Sequence, residues 1–368
     1  MNDYKKIIFN SFSCDIWTEL KNSKKPILIY GMGNGADKII NVFDNYGVTY
    51  RDVFASDGFV RGHLYRGKRV ISYSEACEIY GRDFIIVVSF GTKLPDVMER
   101  IFSLENTHSV FAPDVPVCDG EIFNEEFFNL HCDELYQARS TFADQKSQLI
   151  FDDIVRFKLT GRLEYLRSTA CDEAEADSFL QFAYYKSYVD LGAYNGDTIK
   201  KYSALCPNLK EIYAFEPDKR NFKKLSQYCE QLVDYKTTSV NCAAYSHNTT
   251  LEFSASGNRN SSAASKGSFQ HRIIEIEAKS PDSVCESADF IKYDVEGMEY
   301  EALLGSKELV SRNSPDLLVS MYHKSEDLFK LPLLVKALNP NYKLYLRRLP
   351  YIPAWDLNMY AIFEKGCR

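Results

Sequence analysis

Short apolar runs, each closed by a glycine or an acid and followed by a helix-spaced segment, recur in two series along the chain. The first series opens on Pro26–Tyr30, a continuous apolar run of the kind buried on both faces of a parallel sheet. Gly31, Gly33 and Gly35 then mark a turn into a helix starting near Ala36, and YRDVFASDG predicts a second strand ending near Asp57. DFIIVVSFGT supplies another strand before a helix from about Leu94, and after VFAPDVPVCDG the strand pattern stops.

Residues 124–167 read as helical. Leu149, Ile150, Ile154, Phe157 and Leu159 recur at roughly helical intervals, and Gly161 is placed to end that helix. The second series begins at SYVDLGAYNGDTIKKY, with a strand through Val189, a turn from Gly192 to Gly196 and a helix from about Asp197. EIYAFEPDKRNFKKL repeats strand, acid and helix. TTSVNCAAYS, TLEFSA, RIIEIEA, DFIKYDV, DLLVSMYH, KLYLRRL and NMYAIFE continue as strands. A Ser-, Gly- and Asn-rich run at about 254–268 reads as a loop, with Ser261 and Ser262 placed either to touch substrate in a lid or simply to face solvent. FVRGHLYRGKRVIS has the look of an exposed hairpin.

The pattern predicts an α/β protein. Residues 1–122 form a smaller Rossmann-like domain, 123–180 a helical linker, and 181–368 a doubly wound domain. A length of 368 residues suits two cores. The formal charge of -7 leaves no basic footprint for nucleic acid, and the absence of an 18-residue apolar run argues against membrane insertion. The ten cysteines are scattered without a C-x-x-C pair, which fits buried thiols in a reduced, cytoplasmic setting. His63, His108, His131, His247 and His271 fall in turns or linkers and read as solvated.

DLGAYNGDT carries the first chemistry. A glycine turn after a strand lets backbone approach a ligand, Asp190 stands at that strand end, and Glu216 stands at the next, where an acid accepts the hydroxyls of a ribose. The first series offers a parallel: GMGNGADK resembles a dinucleotide or nucleotide-sugar turn, with Asp57 as its ribose acid. Two uses of that turn stand side by side, ligand binding and mere packing or homodimerisation.

VDLGAYNGDT, YAFEPDKRNFKKL, NCAAYS and DFIKYDVEGMEYEALLGSKELV, in this order, resemble the FkbM-type methyltransferase family over about 140–364. The resemblance implies a class I methyltransferase fold, a mostly parallel seven-stranded sheet closed by an antiparallel strand. It also implies S-adenosyl-L-methionine as cofactor and a hydroxyl acceptor, often on a saccharide or other small molecule. Carried over by residue, Asp190, Gly192, Ala193 and Gly196 would line the methionine and ribose side and Glu216 would hold the ribose. Pro217 and Asp218 would begin the adenine wall, with Asn241, Cys242 and Ala243 flanking the ring. Met321 stands where the family has an acid, two residues before His323.

Methyl transfer from an activated sulfonium asks the protein for alignment and for removal of the acceptor proton. His323, at a strand's carboxyl end, is the expected base, with Asp294 and Glu296 beside it. Asp294, Glu296 and Glu299 suit either a divalent cation or a helix N-terminus. Arg347 and Arg348 suit a phosphorylated acceptor or an edge-strand charge pair. The competing function is an NAD-linked or nucleotide-sugar-binding protein that uses the first glycine turn and carries a non-catalytic methyltransferase domain.

Overall fold

A computed structural model describes residues 3–60, 62, 64–118, 120–254 and 273–363. The first sheet contains β1 (Ile27–Tyr30), β2 (Asp52–Ala55), β5 (Ile71–Ser72), β6 (Ile85–Val88) and β7 (Ser109–Phe111). A two-stranded hairpin, β3 (Leu64–Tyr65) with β4 (Lys68–Arg69), lies between β2 and β5 in sequence. The five strands run parallel in the order β5-β2-β1-β6-β7. Every residue of β1 and β6 is buried, as their unbroken apolar runs require of strands covered on both faces.

The glycine turn after β1 packs rather than gapes. A Cβ on Gly31 would lie 2.5 Å from the Phe90 ring, and one on Gly35 would strike the Ser89 carbonyl. Asp57 accepts from Ser74 N at 3.0 Å and Ser74 Oγ at 2.9 Å, at the start of the helix Tyr73–Tyr80. These contacts favour the packing use of the turn.

Five α-helices follow among the described residues before the second sheet begins, among them Gln145–Thr160. Asp144 starts that helix by accepting from Ser147 N at 2.6 Å, and Gly161, in the left-handed region at φ 64°, ends it. Ile150, Ile154, Phe157 and Leu159 are buried as the periodicity predicts, whereas Leu149 is 54% exposed and stands outside the apolar stripe. The helices form an interior layer: one continuous core links Leu28 of the first sheet, Phe157, and Leu344 of the second.

The second sheet comprises β8 (Ser187–Leu191), β9 (Glu211–Phe215), β10 (Lys236–Val240), β14 (Phe290–Tyr293), β15 (Asp316–Ser320), β16 (Lys343–Arg348) and β17 (Leu357–Ile362). Its order is β10-β9-β8-β14-β15-β17-β16, parallel except for β17, which runs antiparallel to both neighbours. This is the class I methyltransferase arrangement. TTSVNCAAYS does not stay in one strand. It breaks after Val240, and β11 (Ala243–Ala244) joins β12 (Thr249–Ser254) and β13 (Ile273–Lys279) in a separate sheet. Ser261 and Ser262 lie outside the described residues.

Arg347 and Arg348 hold the middle helices to β16 and are buried, so neither is presented to an acceptor. Arg347 reaches Asp144 at 2.9 Å, Glu175 at 2.8 Å and Ser147 at 3.0 Å, and Arg348 reaches Thr169 Oγ1 at 3.0 Å and Tyr351 O at 2.8 Å. His108 also departs from the solvated reading: it is buried, with Nε2 2.9 Å from the Tyr73 hydroxyl.

Candidate active site

The carboxyl ends of β8, β9, β14 and β15 converge where the sheet's connections diverge, between β8 and β14, the position at which such sheets bind ligands. A cavity of about 420 Å³ opens there. Gly192, Glu216, Pro217, Ala243, Asp294, Glu296 and His323 line it, all of them expected from the sequence.

Gly192 has φ 84°, and a Cβ there would strike the Asp294 carbonyl oxygen, so only glycine lets the β8 turn meet the end of β14. Glu216 accepts from Tyr194 N at 2.8 Å and Asp218 N at 2.9 Å, which aims its carboxylate across that turn. Burial raises its pKa to about 7 against the opposing pull of those amides.

Asp190 needs a correction. It is wholly buried and does not line the cavity: Thr198 Oγ1 donates to it at 2.5 Å and Lys292 Nζ stands 3.3 Å away. Burial raises its pKa despite Lys292. Its carboxylate therefore anchors the glycine turn from below instead of gripping a ribose. Ala193, Gly196, Asp218, Asn241 and Cys242 do not line the cavity either. Asp218 caps the helix Lys219–Cys229, and Asn241 Nδ2 donates to the carbonyls of Glu216 at 2.8 Å and Pro217 at 3.0 Å. Sequence reasoning missed Tyr194, Asp197, Thr198, Asn221 and Lys292, which line the cavity. Lys292 was legible as the lysine of DFIKYDV, two residues before Asp294 on the same strand face.

His323 is 1% exposed and wedged among carboxylates. Its Nδ1 lies 2.9 Å from Glu299 Oε1, and its Nε2 lies 3.7 Å from Asp294 Oδ1 and 3.6 Å from Glu296 Oε2. Burial pulls its pKa down, but Glu299, then Glu296 and Asp294, outweigh burial and lift it to about 10. The expectation of an imidazole titrating near neutrality is corrected accordingly: the ring is held as a cation. Burial, only partly offset by His323, raises Glu296 to about 8. Asp294 resists burial through Lys292 and His323 and stays below the usual carboxylate range.

Glu299 is fully buried, and its Oε1 also accepts from Val295 N at 2.8 Å and Gly297 N at 3.4 Å. It thus ties the Asp294–Met298 loop to His323. Glu296 adopts φ 52°, rare for a residue with a side chain, and the Cys118 thiol donates to its carbonyl at 2.9 Å. Oxygen and nitrogen atoms of Asp294, Glu299 and His323 lie within 4.8 Å of one another, close enough to hold a metal ion. The imidazolium already stands between these carboxylates, so a proton offsets part of the cluster's negative charge.

Residues 190–351 match the family model described as the Methyltransferase FkbM domain. A methyltransferase FkbM from Methylobacillus flagellatus KT shares the fold at TM-score 0.71 and 20% identity, over 94% of this chain and 92% of that one. An rRNA methylase from Streptococcus thermophilus aligns at TM-score 0.33 and 14% identity, over 51% and 93% of the two chains. Aeropyrum pernix fibrillarin, in complex with S-adenosyl-L-methionine, aligns at 0.31 and 12%, over 48% and 66%. No curated protein matches the sequence. Among the described residues, no helix is long and apolar enough to cross a membrane.

Proposed function

With residues 190–351 an FkbM methyltransferase domain, we propose that the protein is an S-adenosylmethionine-dependent O-methyltransferase acting on a hydroxyl of a sugar or glycoconjugate precursor. The observation that carries this reading is one cavity, lined on one side by Gly192, Glu216, Pro217 and Ala243 and on the other by Asp294, Glu296 and His323. The first group fits an adenosyl ligand: glycine permits close approach, and the Glu216 carboxylate keeps lone pairs for ribose hydroxyls. When bound, S-adenosylmethionine supplies the methyl group as an electrophilic sulfonium.

The acidic wall serves the acceptor. Glu296 takes the hydroxyl proton, because its pKa of about 8 is matched to that task near neutral pH. His323 fixes the carboxylates of Asp294 and Glu296 by charge, and Glu299 fixes His323. Residues 1–122, 123–180 and 181–368 serve as a packing and wall-forming unit, a helical layer and the catalytic unit. Free cysteines without a disulfide among the described residues fit a reducing, cytoplasmic setting.

Transfer of labelled methyl groups from S-adenosylmethionine to a panel of nucleotide sugars and free saccharides tests this function. Label appearing on a sugar hydroxyl, and lost in Glu296→Gln, is the expected result. Label on a nitrogen or carbon acceptor alone would refute O-methylation.

A further inference from the structure

The first sheet reaches into the cavity. Lys93 and Val117, both from the N-terminal half of the chain, line it beside Tyr351, Trp355 and Asp356 from the loop between β16 and β17. The two segments are joined by backbone: Thr92 N donates to Ile352 O at 2.8 Å, and Ile352 N donates to Thr92 O at 2.9 Å. Gly91 lies flat against the indole, since a Cβ there would strike the six-membered ring of Trp355. Leu94 N donates to Thr92 Oγ1 at 3.2 Å, and Pro95 opens the next helix. Lys93 therefore projects from a fixed support.

Two donors on this wall have nothing to donate to among the described residues. Lys201 is engaged by Asp177 at 2.8 Å and Lys292 by Asp190 at 3.3 Å, but Lys93 makes no ion pair or hydrogen bond. The indole Nε1 of Trp355 is sealed from solvent and has no acceptor. Elsewhere the cavity is acidic, with Glu173, Asp197, Glu216, Asp294 and Glu296 along it, against one carboxylate, Asp356, on the Lys93 wall itself. An anionic group on a ligand would be repelled by those carboxylates and drawn to the Lys93 wall. The rings of Tyr351 and Trp355, 5.2 Å apart and inclined by 42°, offer apolar faces for the C–H side of a sugar ring.

We infer that the methyl acceptor is a saccharide carrying a negatively charged group, phosphate or carboxylate, received by the Lys93 ammonium and seated on the Trp355 ring, on a wall built jointly by the first sheet and the β16–β17 loop. This rests on the methyl-transfer reading and names the acceptor class for the same cavity. The N-terminal half then contributes to substrate choice.

The test is calorimetric titration of the full chain, saturated with S-adenosylhomocysteine, with glucose 1-phosphate, UDP-glucose, glucuronate, methyl glucoside and inorganic phosphate. The proposal expects at least one anionic saccharide to bind about tenfold or more tightly than methyl glucoside, as a charge-assisted contact would provide. The glucose 1-phosphate and glucuronate arms separate phosphate from carboxylate. Lys93→Met and Trp355→Ala should each weaken that saccharide by about tenfold and leave S-adenosylhomocysteine affinity unchanged. Equal binding of methyl glucoside, binding of none of the saccharides, or indifference to both substitutions would overturn it. Failure of the wild type to bind S-adenosylhomocysteine would strike the methyl-transfer reading itself, and this proposal with it.

Discussion

His323 Nδ1 stands 2.9 Å from the carboxylate of Glu299, and both side chains are almost wholly shut off from solvent. The pair binds the carboxyl end of β15 to the loop after β14, and it stores a proton in the folded state.

That stored proton sets a pH dependence of stability. The folded pKa of His323, about 10, lies above the ordinary 6.5, so the folded state holds the proton more tightly than the unfolded chain. The contribution is complete below about pH 6.5 and is lost as pH rises through about 10. Urea denaturation over this range should show stability falling with pH, and His323→Gln should flatten the fall. Glu299→Gln should cost about 3 kcal/mol at neutral pH, because it unpairs a buried cation.

Rate should depend on pH through a different group. If Glu296 accepts the acceptor proton, turnover at saturating substrates rises with pH through about 8, where its carboxyl ionises. A rising limb centred near 10 would assign the role to His323, and a pH-independent rate would remove both.

Gly192 is predicted to tolerate no side chain. Gly192→Ala forces a Cβ into the Asp294 carbonyl at φ 84° and should destabilise the fold by about 2–3 kcal/mol. Thermal unfolding measures the cost. A variant as stable as the wild type would mean that the β8 turn and the β14 loop are not held as closely as described.

Chelation separates the two uses of the acidic cluster. Methyl transfer should be unchanged in EDTA, because the His323 cation already stands among Asp294, Glu296 and Glu299 and offsets part of their charge. Loss of activity that a divalent cation restores would instead make Asp294, Glu299 and His323 a metal site.

The sequence made the parallel strands legible because runs such as PILIY, FIIVV and DLLVS must be buried on both faces, and it placed Glu216, Asp294 and His323 because they follow strand ends. Asp190 follows the same rule, yet Lys292 and Thr198 hold it beneath the turn, and a linear pattern cannot show which of two strand-end acids faces the cavity. Leu149 shows the limit of periodicity, since it sits at a helix position adjacent to the stripe and points outward. Arg347 and Arg348 read as surface charge because arginine usually is. Their partners Asp144, Glu175 and Thr169 lie more than 170 residues away in the chain, beyond any local signal. The joint wall of Thr92 and Ile352 was illegible for the same reason.

Under the proposed function Glu216 is the residue on which cofactor recognition turns, and calorimetry with S-adenosylhomocysteine tests that role directly. The account predicts one site per chain in the wild type, affinity lower by about tenfold or more in Glu216→Ala, and no competing signal from NAD. Binding of NAD alone, or an undiminished affinity in Glu216→Ala, would contradict it.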